Sequence, residues 1–169
     1  LHADIWHLFF NMLFLYIYGD NIEAYLGRVN FMIFYALGGL SAALLQSMFS
    51  GGMDVPMIGA SGCISAIMGA YWVLYPKAKI NVFLWIFIFI QFIKVPASIV
   101  IGFWILEQLI SAGNGSYDGV AYFAHIGGFI FGYLGIKFFF KEYVQYEEIS
   151  ESDLPISRKN KSQGLTKDD

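Results

Sequence analysis

The chain has 169 residues, room for one domain of ordinary size. Hydrophobic residues make up 57% of it and charged residues only 14%, against a usual charged share of about 25%. Residues 1–141 hold six acids and six bases, whereas residues 142–169 hold seven acids and four bases. This balance excludes a basic nucleic-acid footprint and makes the first part a poor soluble globule; the single cysteine, Cys63, excludes an internal disulfide.

Charge-free windows, judged against the ~20 residues that cross about 30 Å of hydrocarbon, define the elements in chain order. Ile5–Gly19 (15 residues, extendable at both ends), Val29–Met53 (25), Val55–Pro76 (22), Val95–Ser111 interrupted only by Glu107, and Gly119–Ile136 (18) predict five crossings. Ile80–Ile93, with 14 residues, predicts a short re-entrant or interfacial piece instead. The expected fold is therefore an all-α, polytopic transmembrane helical bundle with about five crossings and one short non-spanning apolar segment. Charge asymmetry supports that topology: with Ile5–Gly19 running inward, all ten Lys and Arg lie on one side. Counting Ile80–Ile93 as a crossing would put Lys94 outside and reverse every later segment.

Residues 1–141 are expected to form the transmembrane core. Glu142–Asp169, acidic, Ser-rich and poor in apolar residues, is expected to be a flexible cytoplasmic tail. The first residue is Leu1, and no charged region precedes a short apolar run, so the chain reads as trimmed at its N-terminus and without a signal peptide. Neither a P-loop nor a dinucleotide glycine fingerprint nor a CxxC pair occurs, and His2 and His7 lack the partners a metal site needs. No metal and no cofactor is expected.

The few polar residues inside apolar segments carry the functional information, because a membrane segment tolerates them only when they are paired, wet or functional. His7 and Asn11 are spaced i, i+4 and share one face of the first helix. Ser61 sits in Gly59-Ala60-Ser61-Gly62 near the outer end of the third segment, where flanking glycines permit close backbone approach. His125 lies in Ala124-His125-Ile126-Gly127-Gly128. Positions 121, 125, 128, 132 and 135 form one stripe, all Ala or Gly except His125, which can meet the row Ser61, Ser65, Gly69 in the small-xxx-small manner. Each motif alone also fits plain helix packing. With Ile80–Ile93 non-spanning, however, His7, Asn11, Ser61 and His125 all fall at one depth near the outer face, which a nucleophile and its base require.

These three pieces, His7-x-x-x-Asn11, Gly59-Ala60-Ser61-Gly62 and Ala124-His125-x-x-Gly128-x-x-x-Gly132, in this order, resemble the rhomboid intramembrane serine proteases. The resemblance covers residues 1 to about 141. It implies that Ser61 is the nucleophile and His125 the general base, a dyad without an acidic third member. It further implies that His7, Asn11 and the Ser61 backbone N–H form an oxyanion hole, and that Gly59, Gly62, Gly128 and Gly132 hold the helices together beside the site. The helix around Phe103 and Trp104 is implied as a lateral gate for transmembrane protein substrates in the lipid bilayer.

The Gly-containing segment Ala112–Tyr122 reads as a candidate cap over a water-filled site open to the extracytoplasmic side. Rhomboids usually have six core crossings, and the first, with its large outer loop, is absent here. They also often carry an aromatic residue four positions after the nucleophile, where this chain has Ser65; ring stacking on His125 is then either lost or supplied by another residue, such as Tyr122. The competing functions are a non-catalytic relative that binds transmembrane clients, which typically lacks the serine or histidine, and a small channel or transporter. The latter would need a polar path across the whole membrane.

Overall fold

The computed structural model describes residues 5–49, 60–86, 89–115 and 120–140. The expected tail Glu142–Asp169, the motif residue Gly59 and the middle of the candidate cap, residues 116–119, lie outside the described residues.

Two long helices come first, α1 (Ile5–Leu26) and α2 (Arg28–Phe49), each of 22 residues. The first runs beyond the charge-free window through Asp20 and Glu23, because charges on a helix flank leave the backbone ladder intact. Gly27, at φ +74°, ends it: the left-handed conformation lets its N–H reach the Glu23 carbonyl at 2.8 Å and turns the chain into α2.

The third segment gives a shorter helix than its apolar window suggests. Helix α3 (Ser61–Leu74) has 14 residues, about 21 Å at 1.5 Å per residue, and stops at Tyr75 because Pro76 disfavours helical backbone at the residue before it. Helices α4 (Ala97–Gly113) and α5 (Tyr122–Phe138) have 17 residues each. Among the described residues α2 is the one helix both long and apolar enough to cross a membrane by length and composition.

An all-α chain is not what forms between α3 and α4. The apolar run expected as a non-spanning segment is an antiparallel hairpin of β1 (Lys79–Ile86) and β2 (Phe89–Pro96), with Lys79 opposite Pro96. Isoleucine, valine, phenylalanine and tryptophan dominate it, side chains that suit a pleated backbone. Because the strands return side by side, the chain re-enters α4 where it left α3: the Ala97 N–H donates to the Ala78 carbonyl at 2.7 Å, and the Ser98 N–H to that of Pro76 at 3.2 Å.

Helix α3 is the axis of the bundle. Gly62 and every residue from Ile64 to Tyr71 are buried, and α1, α2 and α5 all pack on it. The outer surface is the reverse of a soluble protein's: Trp6 is 67% exposed, Met48 75% and Phe103 74%, while Asn11, Gln46, Ser65 and Gln108 are buried. A contiguous apolar exterior around a partly polar interior is what a lipid solvent permits.

Small residues set how closely α3 and α5 approach. A Cβ added at Gly128 would strike the Gly62 carbonyl oxygen, one at Gly132 the Ala66 carbonyl oxygen, and one at Gly69 the Phe129 carbonyl oxygen. Gly62 in turn faces the Ala42 methyl of α2.

Three side chains pin the first turns of α5. Ser65 Oγ donates to the His125 carbonyl, Ser41 Oγ donates to that of Gly127 at 3.1 Å, and Gln46 Oε1 accepts the Ala124 N–H at 3.1 Å, an N–H it shares with the Ala121 carbonyl. Replacing Gln46 with Leu is expected to cost about 1 kcal/mol, read as a lower thermal midpoint in detergent, with Gln46→Glu recovering the acceptor.

Candidate active site

Ser61 is the first residue of α3 and His125 lies in the first turn of α5. The close contact of Gly128 with the Gly62 carbonyl brings these helix starts together, so that Ser61, one residue before Gly62, meets His125, three residues before Gly128. Ser61 Oγ lies 2.9 Å from His125 Nε2, a hydrogen-bond distance. The hydroxyl donates when Nε2 carries the lone pair.

Both side chains line a cavity of about 130 Å³ together with His7 and Asn11 of α1 and the apolar residues Phe10, Phe14, Ile64, Met68 and Trp104. The four polar residues singled out in the sequence therefore meet in one place. Asn11 is buried, and its Nδ2 donates to the His7 carbonyl at 2.7 Å, which fixes the amide against its own helix and leaves the second Nδ2–H for another acceptor.

Backbone donors complete the polar wall. No side chain caps the start of α3 at Ala60, and the first intrahelical bond runs from the Ile64 N–H to the Ala60 carbonyl at 3.0 Å. The Ser61 N–H is thus one of the amides at a helix start that find no partner within the helix, at the positive end of its dipole.

Of the two expected outcomes for the ring beside His125, loss or supply from another residue, the structure shows the second. Trp104 of α4, not Tyr122, packs against His125 among the described residues, with centroids 5.7 Å apart and planes at 41°. Ser65, at the position four after Ser61, instead spends its hydroxyl on the His125 carbonyl. Phe103, the neighbour of Trp104, faces the outer surface.

Sequence reasoning missed Gln108. It is 4% exposed, and its Oε1 lies 2.6 Å from His125 Nδ1. Glu107 stands out as the charged interruption of its segment, and the uncharged amide beside it carries no charge signal. A test for any polar group within an apolar window would have found it.

A short, apolar-walled cavity that holds a serine hydroxyl on an imidazole, inside a helical bundle with a lipid-like exterior, defines the class: a membrane-embedded helical protein with a serine–histidine pair. The family model described as the rhomboid domain matches residues 1–142, and the chain belongs to the rhomboid family, whose members are multi-pass membrane proteins.

It is 30% identical over 141 residues to the mitochondrial rhomboid protein 1 of Saccharomyces cerevisiae, covering 79% of this chain and 38% of that one. It is 29% identical over 163 residues to RHOMBOID-like protein 1 of Arabidopsis thaliana, covering 92% and 36%. It is also 31% identical over 85 residues to the mitochondrial presenilin-associated rhomboid-like protein A of Danio rerio, covering 49% and 22%. The chain spans less than half the length of these relatives. No solved structure matches it.

Proposed function

We propose that this chain is the catalytic core of an intramembrane serine endopeptidase that cleaves transmembrane protein substrates within or next to their membrane-spanning helix. The observation that carries the reading is the 2.9 Å contact between Ser61 Oγ and His125 Nε2 inside a cavity that also holds Asn11 and His7.

The chemistry follows from what each group can do. Ser61 Oγ attacks the scissile carbonyl carbon while His125 Nε2 takes its proton. The carbonyl π electrons move to oxygen, and the oxyanion is met by the second Asn11 Nδ2–H, the Ser61 N–H and His7. Such donors are each worth about 10²–10³ in rate. Collapse breaks the C–N bond, His125 gives its proton to the leaving amine, and an ester remains on Ser61. Water then attacks the ester with His125 again as base, releasing the acid and restoring the hydroxyl.

Topology fits this use. Helix α3, at about 21 Å, is shorter than the ~30 Å hydrocarbon layer, so with its C-terminus at the inner surface Ser61 sits below the outer one, reached by water through the cavity. The open edges of a two-stranded hairpin are tolerated at the interface and not in hydrocarbon, which keeps β1 and β2 with Lys77, Lys79 and Lys94 on the inner side. The cavity then opens to the extracytoplasmic side and the C-terminal tail is cytoplasmic.

The test is covalent labelling of the full-length protein in lipid by a fluorophosphonate. Labelling of the wild type that disappears in Ser61→Ala is the expected result. A folded wild type that stays unlabelled overturns the protease reading and favours a non-catalytic protein that binds transmembrane clients.

A further inference from the structure

His125 engages a neighbour through each ring nitrogen. Neutral imidazole carries a single N–H, and only the tautomer with hydrogen on Nδ1 leaves Nε2 free to accept the Ser61 proton. Whatever faces Nδ1 selects between the two tautomers.

Gln108 faces it, and a primary amide is ambiguous in that position. Its oxygen stabilises Nδ1–H, whereas its nitrogen, after a half-turn of the amide, would donate to Nδ1 and put the hydrogen on Nε2, where it opposes proton transfer. The neighbouring residue removes the ambiguity. Gln108 Nε2 donates to the Glu107 carboxylate, whose other oxygen accepts from Ser111 Oγ at 3.0 Å. A carboxylate only accepts, so the amide nitrogen must face Glu107 and the amide oxygen must face His125.

We infer that Glu107 and Gln108 are a positioning pair that sets the Nδ1–H tautomer of His125, so that the carboxylate absent from the dyad acts at one remove, through an amide. The inference rests on the protease reading proposed above. It explains why the apolar stretch Val95–Ser111 keeps one charged residue, at the position adjoining a buried glutamine. Trp104, one helical turn before Gln108, packs on the same ring, so α4 adds two side-chain restraints on the orientation of the imidazole to the one from Ser61. Gln108 is not itself one of the cavity-lining residues, and its effect passes through His125.

The experiment uses the full-length protein in lipid, with fluorophosphonate labelling rate and substrate turnover as one readout and the ¹⁵N spectrum of ¹⁵N-histidine-labelled protein as the other. Gln108→Leu is expected to lower kcat about 10–100-fold with KM unchanged, the scale on which partners that orient a functional histidine act. Gln108→Glu combined with Glu107→Gln keeps an acceptor facing Nδ1 and turns the donor round to residue 107, and it restores most of the rate. Glu107→Gln, which offers Gln108 a donor as well as an acceptor, gives an intermediate loss. The ¹⁵N spectrum reports hydrogen on Nδ1 of His125 in the wild type and a rise of the Nε2–H form in Gln108→Leu and Glu107→Gln.

Wild-type rates in Gln108→Leu, or a loss accompanied by an unchanged tautomer and no rescue by the combined Gln108→Glu and Glu107→Gln variant, overturn the positioning role. A wild type that never labels overturns the protease reading instead, and the ¹⁵N spectra still decide the tautomer independently of activity.

Discussion

Turnover of a single-span membrane substrate by the full-length protein is expected to fall by about 10⁴-fold or more in Ser61→Ala, by a similar factor in His125→Ala, and no further in the double variant. The physical reason is that the two residues perform one act. A serine hydroxyl at neutral pH is a weak nucleophile until a base at hydrogen-bond distance takes its proton, and the base has nothing to accept once the hydroxyl is gone. Residual rate in each variant comes from binding and from the oxyanion donors, which all three variants retain. The measurement is cleavage of a reconstituted substrate in proteoliposomes. A double variant whose loss is the product of the single losses would mean that the 2.9 Å contact is not the reactive unit.

Substituting valine for Gly132 is expected to dismantle the bundle, with loss of at least about 3 kcal/mol. A side chain there would begin on the Ala66 carbonyl oxygen, with the Ala66 Cα 2.9 Å away. These are backbone atoms of the central helix and cannot rotate aside, so α3 and α5 must separate. In lipid the loss is not offset by an apolar driving force between helices, because their association depends on close packing itself. Separation also draws His125 away from Ser61, so fluorophosphonate labelling and thermal midpoint should fall together. Gly113→Ala, at a glycine where an added Cβ meets nothing within 4 Å among the described residues, serves as the control and should leave both unchanged. Equal behaviour of the two variants would show that the α3–α5 approach does not hold the site.

The site was more legible in the chain than the fold around it. His7, Asn11, Ser61 and His125 each interrupt an apolar window, and burying a polar side chain in hydrocarbon is costly enough that such interruptions stand out by themselves. Their common depth followed from charge asymmetry and segment parity. The same method overestimated α3: a charge-free window measures where hydrocarbon is tolerated, and helix ends depend on Pro76 and on the backbone bonds at Ser61. It also read Ile80–Ile93 by length and charge asymmetry as a piece that does not cross; neither reports backbone type, and the hairpin suits the β-branched and aromatic side chains of two strands paired from Lys79 with Pro96 to Ile86 with Phe89.

The partners of His125 lay further out of reach. Ser65 pointed to a missing ring, yet which of many aromatic residues would fill the place depends on how α4 lies against α5, and the structure chooses Trp104. Gln108 is visible as a polar residue in an apolar window, but its role follows only from its amide oxygen 2.6 Å from Nδ1 and its nitrogen on Glu107.

Composition and the cost of burying polar groups in lipid were sufficient to point to a membrane environment and to single out the four polar residues that the structure brings together, since those quantities are local or additive along the chain. The length of the central helix, the hairpin and the hydrogen-bonded series Glu107, Gln108, His125, Ser61 depend on which helix faces which neighbour and at what separation. Those relations join positions up to 64 residues apart in the chain and exist only once the glycine faces of α3 and α5 have closed on each other.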